Sequence, residues 1–198
     1  MSARRRAATL PVSFFERPAD AVARELLGAL VVSGLGRRRA AGRIVETEAY
    51  LGRDDPASHA YLGRRHAQNE ALFGPPGTWY VYRSYGMHWC ANLVCGALAR
   101  GGAVLLRALE PVHGLEVMRV RRGAVADRQL CSGPGKLCQA LGMTRRQDGL
   151  SMPRSGVTVL ADDGPEAPIV VATARIGITR AADWPLRFIV RGSPWTSR

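Results

Sequence analysis

The first fifty residues change from helical to strand-like patterning of their apolar positions. Over residues 18–28 the apolar positions recur at the spacing of one helix face, and a glycine closes the stretch. Residues 29–33 and 42–50 are instead rich in strand-forming residues, and the glycine- and arginine-containing stretch 34–37 separates them. The pattern predicts a short helix followed by a β-hairpin.

The next segment carries little regular patterning and then a second hairpin. Residues 51–65 combine glycine, aspartate and proline without periodicity, which predicts a long loop, and a short helix is expected over 68–73. Residues 78–84 and 88–94 are rich in aromatic and β-branched side chains. They predict two strands that reverse around Tyr85–Gly86–Met87.

The remaining half of the chain mixes strands with short amphipathic helices. Strands are expected over 103–109, 157–160, 169–175 and 187–191, and helices over 114–121 and 134–141. Strands dominate, and strand–helix alternation and internal repeats are absent from the sequence. We therefore expect an α+β fold, a single domain over 10–198 with a curved antiparallel β-sheet, short flanking helices and a protruding β-hairpin, preceded by a basic, disordered tail over 1–9.

The composition of the chain indicates which class of binding partner to expect. The chain has 198 residues and a formal net charge of +12, and Lys136 is its single lysine. Arginine binds phosphate through a planar fork of donors, so a polyanion is the first candidate partner, and an arginine-rich coding bias is the alternative. The sequence has no apolar run of about 20 residues, the length that a membrane-spanning helix needs, so no membrane association is expected.

The four cysteines predict neither a metal site nor an iron–sulfur cluster. They form no Cys-x-x-Cys pair and have no zinc-like histidine spacing beside them. We expect them to be reduced and structural. They are Cys90, Cys95, Cys131 and Cys138.

Two carboxylates fall on one face of the second predicted strand. Strict alternation places Ile44, Glu46, Glu48 and Tyr50 on the same face. A carboxylate near a sheet interior is either neutralised by an arginine or lies in a cleft as a general acid or base, and spacing alone favours neither. A sugar-hydrolysing pair or a divalent-metal site is less favoured, because side chains two apart on one strand do not face each other across a substrate.

Aromatic residues cluster in the second hairpin. Tyr80 and Tyr82 fall on one face, and Tyr85 lies beside Gly86 where the chain must reverse, a place where a ring can project into solvent. Most such clusters are simply core. On a basic protein, however, an exposed ring is typical of a wedge between DNA bases, and an aromatic pocket beside a carboxylate indicates base excision.

Several long motifs, in order along the chain, resemble the 3-methyladenine DNA glycosylases of the alkyladenine type. The similarity spans nearly the whole chain. The motifs are G-R-I-V-E-T-E-A-Y at 42–50, His59, P-P-G-T-W-Y-V-Y-R-S-Y-G-M-H-W-C-A-N at 75–92, L-L-R-A-L-E-P at 105–111, L-C-S-G-P-G-K-L-C-Q-A-L at 130–141 and R-F-I-V-R-G-S-P-W at 187–195.

The resemblance implies a catalytic pair and a specificity residue. Glu48 matches the family's catalytic carboxylate, the general base for the water that attacks the glycosidic carbon. Arg107 matches a residue that helps to hold water or phosphate beside that base. Asn92 matches the residue that crowds the exocyclic amine of guanine. Glu46 is then expected to be a structural partner of an arginine.

The resemblance also implies how DNA and base are held. Tyr50, His59 and Tyr82 match the walls that stack on a flipped base, and Tyr85 matches the intercalating wedge. Family members need no metal and no cofactor. Lys136 follows Ser-Gly-Pro-Gly at the start of a predicted helix, a setting that suits a contact with DNA phosphate.

We therefore expect a monofunctional DNA glycosylase that releases alkylated, and also deaminated or etheno, purines from double-stranded DNA. It is expected to act as a monomer, in the cytoplasm at the nucleoid of a bacterium or in the nucleus of a eukaryote. Two alternatives stay open. The Ser-Gly-Pro-Gly-Lys run at 132–136 suggests a helix-hairpin-helix glycosylase, and loss of catalysis would leave a non-catalytic nucleic-acid-binding protein.

Overall fold

The computed structural model describes residues 8–161 and 167–197. Within these ranges the chain forms one eight-stranded antiparallel sheet with short helices packed on it, as the α+β prediction required. The strands are β1 (Leu30–Ser33), β2 (Ala40–Tyr50), β3 (Trp79–Ser84), β4 (His88–Cys95), β5 (Gly102–His113), β6 (Val157–Leu160), β7 (Val170–Thr173) and β8 (Arg187–Val190).

The helices are short, and several are single turns. The α-helices are α1 (Val12–Phe15), α2 (Ala19–Glu25), α3 (Leu115–Arg122), α4 (Pro134–Leu141) and α5 (Met152–Ser155), and 3-10 turns lie at Gly52–Asp54, Tyr61–Gly63, Glu70–Phe73, Asp127–Gln129 and Arg145–Gln147. Helix α4 agrees with its predicted range. The helix expected over 68–73 is a 3-10 turn, the loop expected over 51–65 contains two such turns, and α1 and α5 were not predicted.

Both predicted hairpins are present, and β2 organises the sheet. The main strand order is β3-β4-β5-β2-β1-β6, while β8 pairs with β2 and β7 pairs with β8. The first residues of β2 pair with β1, and Glu46, Thr47 and Glu48 pair with β8. The sheet therefore branches in the middle of β2.

A β-bulge at this branch corrects the predicted alternation of β2. The register against β5 shifts between Ile44 and Glu46, so that Val45 is an extra residue. Ile44 consequently lies in the hydrophobic core together with Ala49, and not on the face of Glu46 and Glu48. Strict alternation could not anticipate the insertion, because it depends on the partner strand.

The core lies between the sheet and the helices. Trp79 and Leu106 are fully buried, and the Thr47 hydroxyl donates to the Ala23 carbonyl of α2 at 2.8 Å. All four cysteines are buried free thiols, which confirms that prediction. Among the described residues there is no helix with the length and apolarity that crossing a membrane requires.

The last two residues of the predicted tail, Ala8 and Thr9, are among the described residues. Residues 1–7 lie outside the described residues, whereas Thr9 pairs with Leu160 in an antiparallel bridge and the Ala8 carbonyl accepts the amide of Ala161. The run at 132–136 begins the single helix α4 against the sheet, so the helix-hairpin-helix alternative does not agree with this strand-rich fold.

Candidate active site

A cavity of about 490 Å³ lies over β2, β3, β4 and β5, and most of the predicted site residues line it. Its walls come from the strands, from the loop after β2 and from residues that follow β7. The sequence-predicted residues that line it are Tyr50, His59, Tyr82, Tyr85, Asn92 and Arg107. The fold thus brings together predicted site residues that are up to 57 positions apart in the sequence, from Tyr50 to Arg107.

Glu48 is fully buried at the edge of this cavity. Its Oε1 accepts the amide of Ile176 at 2.8 Å and lies 3.2 Å from Nη1 of Arg107, and its Oε2 accepts the Tyr50 hydroxyl at 2.9 Å. Tyr50, Arg107 and Ile176 all line the cavity. Glu48 is therefore the carboxylate that touches the cavity walls, although it is not itself a lining residue.

Glu46 is also fully buried, and it binds Arg107 together with two residues near the C-terminus. Its Oε1 accepts from Nε of Arg107 at 3.0 Å, from Nε of Arg187 at 2.7 Å and from the hydroxyl of Ser197 at 2.7 Å. Its Oε2 accepts the amide of Ser197 at 2.5 Å. The expectation that Glu46 pairs with an arginine is confirmed.

Arg107 connects the two carboxylates. The residue is 7% exposed, pairs with Glu46 and Glu48, and donates to the Ser197 hydroxyl at 3.2 Å. Burial alone would lower the pKa of Arg107, but the charges of Glu48 and Glu46 outweigh it and raise that pKa. Arg107 therefore stays charged and holds both carboxylates in place.

Tyr50 is held protonated beside Glu48. Burial and the neighbouring Glu48 charge raise the pKa of Tyr50 well above its ordinary range, because both disfavour a phenolate. The hydroxyl is thus a hydrogen-bond donor to the carboxylate at all physiological pH values, and it holds Oε2 of Glu48 while the Ile176 amide holds Oε1.

Three rings form one aromatic wall of the cavity. Tyr80 and Tyr82 stack with centroids 5.3 Å apart, and His59 meets Tyr82 edge-on at 4.6 Å. Nδ1 of His59 lies 2.8 Å from the Tyr80 hydroxyl. Burial, and to a smaller extent repulsion from His66, lowers the pKa of His59, so the ring is neutral at neutral pH. The wall is aromatic and uncharged, with the His59 ring edge-on to the two tyrosine rings.

Asn92 lies on the floor of the cavity. It faces Tyr80 across the β3–β4 pair, is 4% exposed, and its Nδ2 donates to the Tyr80 carbonyl at 3.1 Å. Because this hydrogen bond fixes the amide, Asn92 presents a rigid side chain to whatever enters the cavity.

Tyr85 projects from the tip of the β3–β4 hairpin. Its side chain is 85% exposed and its φ is +49°, a backbone conformation that few residues other than glycine adopt. Met87, two residues later, is also exposed. A ring and a thioether therefore protrude beside the cavity mouth, as the protruding-hairpin prediction stated.

Lys136 lies on the surface in the first turn of α4. Its Nζ is 3.4 Å from the Ser132 hydroxyl, and Pro134, two residues earlier, lines the cavity. Lys136 itself does not line the cavity formed by the described residues. The exposed ammonium thus lies near the cavity mouth but away from Glu48.

Four residues that complete this region were not predicted from the sequence. Ile176 and Ser197 bind the two carboxylates, and Arg175 forms a buried ion pair with Asp55. Only Arg175 left a signal, as a lone charge within the apolar run after residue 168. The others act through contacts between residues far apart in the sequence, several of them by backbone amides.

Comparison with known proteins agrees with the motifs. Residues 13–194 match the family model described as methylpurine-DNA glycosylase. A protein of Granulibacter bethesdensis is 50% identical over 95% of this chain and 87% of its own, and one of Agrobacterium fabrum is 51% identical over 96% and 92%. One of Methanoculleus marisnigri is 49% identical over 96% of this chain and 99% of its own. All three are named "Putative 3-methyladenine DNA glycosylase".

Proposed function

The chain belongs to the methylpurine-DNA glycosylase family, and we propose on that premise that it is a 3-methyladenine DNA glycosylase that hydrolyses the N-glycosidic bond of alkylated purines in double-stranded DNA. One observation carries the proposal. A buried carboxylate, Glu48, is oriented by three donors that all line a cavity with an aromatic wall. This arrangement suits a general base beside a bound base.

The cavity accepts a base that has left the duplex. Its volume of about 490 Å³ exceeds that of a purine, and Tyr50, His59 and Tyr82 offer uncharged rings for stacking. A base reaches such a pocket only by rotating out of the stack, which costs a few kcal/mol. Tyr85 at the hairpin tip fills the resulting gap and offsets that cost.

Glu48 activates the attacking water. An ionised carboxylate has about four acceptor sites, and the three donors to Glu48 leave one on Oε2. Because Glu48 has no exposed surface, a small movement of the surrounding cavity wall must admit the water. Glu48 then takes the proton of that water as it attacks the sugar carbon.

The leaving group sets the range of substrates. An alkylated purine already carries positive charge, so it departs without a proton donor. Deaminated and etheno purines are neutral, so their departure requires a proton donor in addition to the general base. We therefore propose alkylated purines as the main substrates and the neutral lesions as slower ones.

The charge of the chain fits the DNA partner. A net charge of +12 predicts binding that falls steeply as salt displaces the arginine–phosphate contacts. We propose that Lys136 supplies one of these contacts at the N-terminus of α4. The protein is proposed to act as a monomer, with residues 10–198 as its glycosylase domain.

A base-release assay tests the function. Duplex DNA with a single alkylated purine is incubated with the protein, and abasic sites are cleaved by alkali and counted. Strand cleavage that depends on the lesion and disappears in Glu48→Gln is the expected result. Tight binding to lesion DNA without any base release would instead identify a non-catalytic nucleic-acid-binding protein.

A further inference from the structure

Arg175 and Asp55 form an ion pair whose two side chains are both fully buried. Nη1 and Nη2 of Arg175 donate to Oδ2 and Oδ1 of Asp55 at 2.5 and 2.9 Å, so the pair is bidentate. Nη1 also donates to the Ala49 carbonyl at 3.0 Å, and the guanidinium lies 4.8 Å from the centre of the Tyr50 ring. The pair therefore touches the end of β2, where Tyr50 begins the cavity wall.

Stability alone is a poor explanation for this pair. Removing two charges from water often costs more free energy than their mutual attraction returns. Well-packed apolar residues of similar volume often stabilise a fold as well or better. Nε of Arg175 is also buried without a partner among the described residues. The pair is therefore better explained by the positions in which it holds the neighbouring backbone than by a contribution to stability.

The pair fixes one wall of the cavity through the residue that follows Arg175. Ile176 donates its amide to Glu48 and lines the cavity. Arg175 holds this backbone against Ala49 on one side and, through Nη2, against the Ala181 carbonyl at 3.5 Å on the other. The position of the Ile176 amide is therefore set by where the guanidinium is anchored.

Asp55 holds the loop that follows β2. Its Oδ2 accepts the amide of Leu51 at 3.1 Å, its Oδ1 accepts the amide of Ala57 at 3.0 Å, and its carbonyl accepts the amide of Ser58 at 2.9 Å. Ala57 and Ser58 line the cavity and lead into His59. One carboxylate thus connects the loop that carries the stacking ring to the segment that binds Glu48.

We propose that Arg175 and Asp55 are positioning residues for base release. They hold the Ile176 amide against Glu48 and the 57–59 backbone against the base, so that the general base and the stacked purine keep one relative geometry. The inference rests on the proposed function. Misplacement of a reacting group by about 1 Å can cost on the order of a hundredfold in rate, so the loss of a fixed anchor is expected in the chemical step.

Arg175→Lys tests the proposal, because lysine keeps the charge but has no planar fork and cannot serve Asp55, Ala49 and Ala181 together. Asp54→Asn is the matched control. Asp54 neighbours Asp55 and pairs with Arg100 at 2.9 Å, but both of those side chains are more than half exposed. Single-turnover base release and the Kd for duplex DNA containing an abasic-site analogue are measured for each folded protein.

For Arg175→Lys we expect base release to slow by at least about tenfold while the Kd changes by less than about threefold, and for Asp54→Asn we expect both to stay within about twofold. An abasic-site analogue has no base to stack in the cavity. Slower base release with an unchanged Kd for this analogue therefore indicates a misplaced cavity wall, whereas equal losses of rate and affinity indicate a general loss of structure. Base release by folded Arg175→Lys within about twofold of the parent protein, or equal losses in rate and affinity, would overturn the proposal.

A second measurement needs no variant. Hydrogen exchange of the parent protein should show the Ile176 amide protected like the core strands, and rapid exchange at Ile176, equal to that of Gly177, would contradict the proposed anchor. A parent protein that releases no base overturns the proposed function, and this inference with it. An active parent protein with an unaffected Arg175→Lys variant overturns the inference alone.

Discussion

Glu46 and Glu48 are two residues apart, equally buried, and joined by Arg107, yet exchanging each for glutamine should have opposite consequences. The amide keeps the size of the side chain and removes its charge. We expect Glu48→Gln to lose base release and keep most of the stability, and Glu46→Gln to lose stability and keep base release.

The stability loss for Glu46→Gln follows from its contacts. Arg107, Arg187 and the Ser197 hydroxyl converge on Oε1, and the Ser197 amide on Oε2. The glutamine oxygen can replace only one of these two atoms, so its amide group meets another donor. Buried Arg107 and partly buried Arg187 each lose a countercharge, although Arg107 keeps its contact with Glu48. Breaking a buried pair costs about 3–5 kcal/mol. At about 2–4 °C per kcal/mol for a chain of this size, Tm falls by roughly 6–20 °C.

The stability loss for Glu48→Gln is smaller. Arg107 keeps its partner Glu46, and the Tyr50 hydroxyl can accept a hydrogen bond from the new amide instead of donating one. The lost charge-assisted contact costs about 1–3 kcal/mol. Base release, in contrast, loses its proton acceptor, and general acid–base catalysis contributes about 10²–10⁴-fold to a rate.

The assay is single-turnover base release from a duplex with one alkylated purine, well below the Tm of each variant measured by circular dichroism. Glu48→Gln should be slower than the parent protein by at least about 100-fold, and Glu46→Gln by less than about tenfold. A folded Glu46→Gln variant that loses the larger factor, beside a Glu48→Gln variant that stays active, would show that Glu46 and not Glu48 is the general base.

Four further predictions concern single residues around the cavity. Tyr85→Ser should weaken binding to lesion DNA by roughly 5- to 150-fold, the equivalent of about 1–3 kcal/mol of stacking, and leave Tm unchanged because the ring is 85% exposed; a large fall in Tm would place the ring in the core. Asn92→Ser should increase release of guanine from undamaged DNA, because a smaller side chain removes the clash with its exocyclic amine, and release at background would count against that role. Borohydride treatment of the protein on lesion DNA should trap no covalent adduct, since Lys136 is the sole lysine and lies on the surface; an adduct that disappears in Lys136→Ala would contradict hydrolysis by water. Because burial lowers the pKa of His59, the contribution of His59 to stability is complete above the ordinary value of 6.5 and is lost as the pH falls below it. The fall in Tm between about pH 7.5 and about pH 5 should therefore be smaller for His59→Gln than for the parent protein. An equal fall in Tm for both proteins would contradict this.

The sequence determined the fold class and the candidate site residues that line the cavity. Period-two patterning and turn residues are local properties, and they located both hairpins and the tip at Tyr85. Tyr50, His59, Tyr82 and Asn92 were recognisable because they lie in long motifs that resemble one family, and all of them line one cavity.

The tertiary structure decided what each carboxylate does. Alternation put Glu46 and Glu48 on one face and could not distinguish them, and it misplaced Ile44 because the bulge at Val45 depends on the register against β5. Arg187 and Ser197 reach Glu46 from about 140–150 residues away, and Ile176 reaches Glu48 from 128 residues away. Such long-range contacts leave no periodic pattern in the sequence near either residue.

The Arg175–Asp55 pair shows the same physical limit. Its residues are 120 positions apart, and a lone arginine in an apolar run signals only that a partner must exist. Local propensity fixes which face a side chain takes within its own element, but the charge of a buried group is stabilised only by partners that folding brings within hydrogen-bond distance. The sequence therefore supplied the candidate residues of the site, and the packing of distant segments selected their partners.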